Sequence, residues 1–128
     1  MRKNNLTHRR KAELRGRRSE IFAALLLLAK FYRIIGWRVR TPVGEIDLIA
    51  RAPGGPVCFI EVKARGDELS AAQSLGSRQQ RRIANAASHY LAARPHLAGK
   101  GMRFDVIALS PRRLPRHYPD AWRADGLR

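Results

Sequence analysis

Glu45 and Asp47 in the segment Gly44-Glu45-Ile46-Asp47-Leu48-Ile49-Ala50, and Glu61 and Lys63 in Phe59-Ile60-Glu61-Val62-Lys63, are charged residues set two apart inside otherwise apolar runs. In an extended chain residues i and i+2 project to the same side, so each pair shares one face of a strand. If the two strands pair, carboxylates and an ammonium converge at one edge of a sheet. Such a set suits phosphodiester hydrolysis, which needs an activated water, neutralised charge on the phosphate and a stabilised leaving oxygen. A hard divalent cation serves all three needs, and Mg²⁺ is typically held by one or two carboxylates plus substrate phosphate. Asp47 and Glu61 supply that minimum, and a lysine beside the cation has its pKa lowered, which helps it handle protons.

Each of these residues also has a plainer role. Glu61 and Lys63 could be a same-face ion pair on an exposed sheet surface, worth little. The flanking Phe59, Ile60 and Val62 argue against free exposure and favour the chemical reading. Asp47 could be an edge carboxylate, but Leu48 and Ile49 continue the strand beyond it. Glu45 is better read as an arginine partner than as a metal ligand. Asp105 is read as a capping residue or an arginine partner.

The elements that would position these groups follow from local pattern. Leu and Ala dominate from Ser19 to Ile35, which predicts a helix capped by Ser19, stopped by Gly36 and apolar nearly all round, hence buried. Trp37–Thr41, residues 45–51 and residues 57–64 read as three consecutive strands, broken at Pro42-Val43-Gly44 and at Ala52-Pro53-Gly54-Gly55-Pro56, which implies an antiparallel meander. Residues 66–76 are loop-like. A second helix is predicted from Ser77 to Ala93, before Pro95, with Ile83, Ala87 and Tyr90 on its inner side and Arg78, Arg81 and Arg82 largely on another. Residues 102–109 form a fourth strand, which after a helical crossover adds in parallel. Beyond Ser110, three prolines and five arginines make order doubtful apart from a docking of Trp122.

A helix with Glu20, a strand with Asp47, a strand with Glu61-x-Lys63 and a helix with Gln80, in that order, resemble the PD-(D/E)XK nuclease superfamily. More narrowly, residues 44–50, Phe59-Ile60-Glu61-Val62-Lys63-Ala64-Arg65 and Arg103-Phe104-Asp105-Val106 resemble the bacterial YraN family, over roughly residues 16–109. The resemblance implies an α/β, restriction-endonuclease-like fold: a mixed sheet, an antiparallel meander plus a strand added after a helical crossover, packed with two main helices. It implies an Mg²⁺- or Mn²⁺-dependent endonuclease similar in core to Holliday-junction resolvases. It adds the backbone carbonyl of Val62 to Asp47 and Glu61 as a metal ligand, sets Glu20 near the metal and gives Gln80 a supporting role. It also suggests a homodimer. Glu20 has an equally good reading as an acid that suits the first turn of a helix, and Gln80 is as evenly balanced. The chain departs from the family pattern before Gln80, where a lysine is expected and Gln79 stands, so a second basic group is lost there.

Composition sets the partner class. Lys plus Arg number 26 against 10 Asp plus Glu, a formal net charge of +16 on 128 residues. Such a field attracts a polyanion and gives salt-dependent binding largely indifferent to sequence. DNA is the expected partner, gripped by a basic arm over residues 1–18 (Arg9, Arg10, Lys11, Arg15, Arg17, Arg18), by Arg65, Arg78, Arg81 and Arg82, and by a basic tail over residues 110–128, around one nuclease-like domain at 19–109. The alternative is a non-catalytic nucleic-acid-binding protein retaining the nuclease fold. A membrane surface is the weakest reading, because the apolar run at 21–29 is too short to span a bilayer and better used in a core. The lone Cys58 in an apolar run excludes an internal disulfide and reads as a buried, inert thiol, which fits the cytoplasm. His8, His89, His96 and His117 lack zinc-ligand spacing.

Overall fold

The computed structural model of the chain describes residues 18–64 and 75–124. Helix α1 covers residues 18–29; strands β1 (Arg33–Thr41), β2 (Gly44–Arg51) and β3 (Val57–Ala64) follow. Helix α2 (Ser77–Ala92) and the short α3 (Pro95–Ala98) lead to β4 (Met102–Leu109) and β5 (Arg116–Trp122). The strands form one mixed sheet in the order β1-β2-β3-β4-β5. The first three make the antiparallel meander expected of closely spaced strands, and β4 runs parallel to β3 as a helical crossover requires.

Alternation along β3 divides the core into two layers. Cys58 and Ile60 face α1, where Ala23, Leu27, Leu48 and Ile107 close around them. Val57 and Phe59 face α2 and meet Ile83, Ala86, Ala87 and Tyr90. The sheet is therefore covered on both sides, and the inner residues predicted for α2 are the ones it buries. Among the described residues no helix is long and apolar enough to cross a membrane.

The end of α1 departs from the prediction. Residue 18 is already helical, so Ser19 lies inside the helix, and the helix stops at residue 29 rather than at Ile35. Phe31, at φ 65°, takes the left-handed stop position, with Phe31 N–H donating to Leu28 O and Tyr32 N–H to Leu27 O. These are the two bonds of a Schellman cap, here built without glycine. The β-branched Ile34 and Ile35 then go to β1, where their shape packs better on a pleated surface. Gly36 serves in that strand at an irregularity of register, and a Cβ there would lie 2.8 Å from Val39 Cγ2. Its role is close approach, not helix termination.

Nor is α1 buried all round. Ala23, Ala24 and Leu27 are sealed against the sheet, while Ile21, Phe22, Leu25 and Leu28 are 49–56% exposed. A run apolar at nearly every position carries no period to say which face the single covering sheet will take. The segment after Ser110 also differs: it supplies an ordered edge strand, β5, antiparallel to β4. Pro119 is tolerated there because an edge strand leaves one row of N–H groups unused. The expected docking of Trp122 is a stack on Phe104, ring centroids 4.1 Å apart.

Candidate active site

Pairing between β2 and β3 runs from Arg51↔Val57 to Leu48↔Ile60, and Asp47 lies one residue past its end. The Asp47 carboxylate takes over where the ladder stops: its Oδ2 accepts the Val62 N–H at 2.9 Å. In a strand a residue's N–H and C=O leave from the same edge, so the Val62 carbonyl opens towards Asp47 too. Glu61 and Lys63 stand on a stretch of β3 that stays paired to β4, opposite Val106 and Ala108. That pairing makes their backbone a fixed platform.

The side chains converge. Asp47 and Glu61 are in hydrogen-bond contact, Lys63 Nζ lies 3.5 Å from Glu61 Oε1, and Gln79 Nε2 donates to the same oxygen at 2.9 Å. Glu61 and Lys63 side chains are only 14% and 18% exposed, so the cluster is largely withdrawn from water. Burial first, and the Asp47 charge second, push the Glu61 carboxyl up to about 7. Burial also raises Asp47, helped by the charge of Glu20 and opposed by the Val62 N–H. Two carboxyls facing each other in this setting both hold their protons more tightly than free carboxyls do.

Glu20, buried at the start of α1, reaches towards the same centre but is held by another partner. Arg38 Nε donates to Glu20 Oε2 at 2.5 Å. Among the described residues no set of three or more His, Cys, Asp and Glu side chains is close enough to hold a metal ion. Among the described residues the carboxylates that stand together there are the pair Asp47 and Glu61, with Glu20 engaged by Arg38.

Sequence reasoning passed over Gln79, which points at Glu61, and chose Gln80, which does not. Gln80 Nε2 donates to Leu75 O at 2.9 Å, tying the approach segment to the first turn of α2. A helical position advances by about 100° per residue, so only one of two consecutive glutamines can face the strand; the missing lysine at position 79 was the signal that this was the position facing the site. Arg18, Arg78, Arg81 and Arg82 are exposed. Arg9, Arg10, Lys11, Arg15, Arg17 and Arg65 lie outside the described residues.

The other acids have structural partners. Glu45 pairs with Arg40 at 3.5 Å on the surface. Asp105, completely buried, accepts both arms of Arg103 at 2.8 Å, His117 Nε2 at 2.7 Å and the Asp120 N–H at 3.0 Å. Burial alone would raise its pKa, but these donors outweigh it and hold Asp105 down at about 2. Lys30 Nζ sits 2.6 Å from His117 Nδ1, which makes Nε2 the ring nitrogen that donates to Asp105. Arg103 also donates to the Tyr32 hydroxyl at 2.7 Å. This network joins the segment just after α1 to β4 and β5, on the α1 side of the sheet. Cys58 is buried and its thiol is pushed up to about 11 by burial, which keeps it inert at neutral pH.

The model of a family described as "Uncharacterised protein family UPF0102" matches residues 19–109. A UPF0102 protein of Parvibaculum lavamentivorans is 51% identical over 108 residues, covering 84% of this chain and 80% of its own. One of Agrobacterium fabrum is 49% identical over 114 residues, covering 89% and 93%. One of Caulobacter vibrioides is 47% identical over 107 residues, covering 84% and 85%.

Proposed function

The chain belongs to the uncharacterised protein family UPF0102, the YraN-like family whose motifs it carries, and on that premise we propose that it is a metal-dependent endonuclease hydrolysing phosphodiester bonds of DNA, branched or single-stranded. The observation that carries the reading is the convergence of Asp47, Glu61 and Lys63 at the end of the β2–β3 ladder. An edge ion pair would not need a second carboxylate brought against the first, where burial and like charge raise the proton affinity of both. The order of elements, a helix, an antiparallel meander, a crossover helix and a parallel strand, supports a restriction-endonuclease-like fold.

The donor set fits a hard divalent cation. Two desolvated carboxylates with raised proton affinity form an anionic centre that a cation relieves, and one or two carboxylates are what Mg²⁺ or Mn²⁺ commonly takes from a protein. Asp47 and Glu61 would hold the ion, with the Val62 carbonyl on the same edge; bound there it supplies charge neutralisation at the phosphate and activation of water. Lys63 carries the fixed positive charge, positions the attacking water and stabilises charge developing on the phosphate oxygens. Gln79 fixes the orientation of Glu61. Arg78, Arg81 and Arg82 on the exposed side of α2 and Arg18 at the start of α1 would contact backbone phosphates, which position a nucleic acid without reading its sequence.

The test is cutting of single-stranded, flapped and branched DNA in Mg²⁺ or Mn²⁺. Glu61→Ala and Lys63→Ala should abolish it, each keeping salt-dependent binding. Intact DNA under every metal and structure tried would overturn the reading. A second reading, a nucleic-acid-binding protein without catalysis, is favoured by one observation: Glu20 is taken up by Arg38, leaving a single pair of carboxylates among the described residues. On that reading Asp47→Ala binds DNA as well as the parent or better, and Mg²⁺ changes nothing but ionic strength.

A further inference from the structure

Arg38 lies in β1 at φ 47°, in the left-handed region that residues other than glycine rarely adopt. Strain of this kind persists only where the surroundings over-determine it, and it gathers at functional sites. The β1–β2 register pairs Trp37 with Leu48 and Val39 with Ile46, which sets Arg38 opposite Asp47. Its charge feels Glu20 most strongly, then Glu45 and Asp47. The guanidinium is thus a cation beside the acidic centre, carried by β1 on one side of β2 while Lys63 is carried by β3 on the other.

The pairing with Glu20 uses one corner of the fork. Among the described residues Glu20 is the hydrogen-bond partner of Arg38, through Nε alone, and the Arg38 side chain remains 35% exposed. Among the described residues nothing accepts from Nη1 or Nη2, which are left as donors. A guanidinium held at Nε presents its terminal amino groups as a planar fork, the geometry that matches two oxygens of a phosphate. Glu20 is buried, so it cannot follow the arginine outwards and instead fixes its direction.

We propose that Arg38 is the phosphate-binding group of the acidic site, presenting its fork to a phosphodiester, and that Glu20 is a positioning residue for Arg38. This rests on the nuclease reading for the site's chemistry but not for the contact itself. It gives the buried acid of α1 a task other than metal ligation, and it explains why a strained arginine stands opposite Asp47.

The experiment uses the ¹⁵N-labelled full chain and an oligothymidylate in Mg²⁺, with the Arg38 Nε–Hε signal and cutting as the two readouts. The signal should move as the oligonucleotide saturates. Arg38→Lys keeps the charge but loses the fork, and should lower cutting at saturating DNA by about tenfold or more. Arg40→Lys, on the exposed arginine of the same strand, should stay within about twofold of the parent, the ordinary range for a surface change. Glu20→Gln should displace the Arg38 signal and slow cutting without a matching loss of thermal stability. A merely structural ion pair predicts the reverse: Arg38→Lys restores full cutting, and the Glu20→Gln loss follows the melting temperature. Either result overturns the proposal, as does an Arg38 signal unmoved at saturation. If the parent does not cut at all, the nuclease reading falls, and the Arg38 signal still decides the phosphate contact.

Discussion

Gln79 Nε2 lies 2.9 Å from Glu61 Oε1, reaching from the first turn of α2 to the middle of the acidic pair. The amide can donate to Glu61 but brings no charge, so it orients the carboxyl without drawing off its proton. A lysine at this position would do both. Gln79→Lys should therefore lower the Glu61 pKa from about 7 and move the acid limb of the cutting profile down by about one pH unit. Measurement of the rate between pH 5 and 9 in both proteins checks it; identical profiles would mean that Glu61 does not set that limb.

The same pair makes stability fall as pH rises. Glu61 is pushed up to about 7 in the folded chain, against an ordinary 4.5, and Asp47 is shifted in the same direction. Between those limits the folded state binds more protons than the unfolded one, so the unfolding free energy declines with pH. The shift at Glu61 corresponds to a decline of up to about 3 kcal/mol across the window. Glu61→Gln should flatten this dependence and raise the melting temperature at pH 8. Mg²⁺ should stabilise the parent more at pH 8 than at pH 5.5, because it replaces the proton that the pair has lost. Thermal melts at four pH values with and without the ion would show both trends.

The sheet and the acidic pair were legible because each rests on a short-range pattern: period-two charges in apolar runs, and turn residues between them. The limits of α1 were not. Ile34 and Ile35 suit a buried helix and a strand equally in sequence, and only the partner strand β2, through Ile34↔Ala50, decides between them. The role of Gly36 follows from the same long-range contact. β5 was hidden by the three prolines and five arginines that follow Ser110, and its anchor is a residue on another strand, Asp105. Gln79 was passed over because the loss of an expected charge was read as the loss of a function, whereas its amide fills the same space with a neutral donor.

Phe31 pays for its place at the end of α1 with a left-handed backbone at φ 65°, and its ring is 85% exposed. Removing the Cβ should cost little packing and relieve strain of about 1 kcal/mol. Phe31→Gly is therefore expected to stabilise the chain by roughly 0.5–1 kcal/mol in urea unfolding. Gly36→Ala should do the opposite, by about 1–3 kcal/mol, since its methyl group meets Val39 Cγ2 at 2.8 Å and Ile49 Cδ1 at 3.2 Å. A neutral Gly36→Ala would show that β1 can shift at its irregularity without loss.

Asp105 holds β5 to the sheet. Four donors from Arg103, His117 and the Asp120 backbone end on its two oxygens at 2.7–3.0 Å, with its side chain wholly out of water. Its pKa of about 2 lies below the ordinary 3.8, so the stability it contributes is fully present above about pH 4 and is lost as pH falls through 2. Asp105→Asn removes the charge while Arg103 and His117 stay in place, leaving a buried cation without its counter-charge. The expected cost is about 3–5 kcal/mol, and hydrogen exchange should quicken first in β5, whose Phe104↔Trp122 and Val106↔Tyr118 pairings depend on that anchor. Asp47→Asn, at the other acidic centre, should leave β5 exchange unchanged. If Asp105→Asn loosened β2 and β3 as early as β5, the network would be holding the whole sheet rather than its last strand.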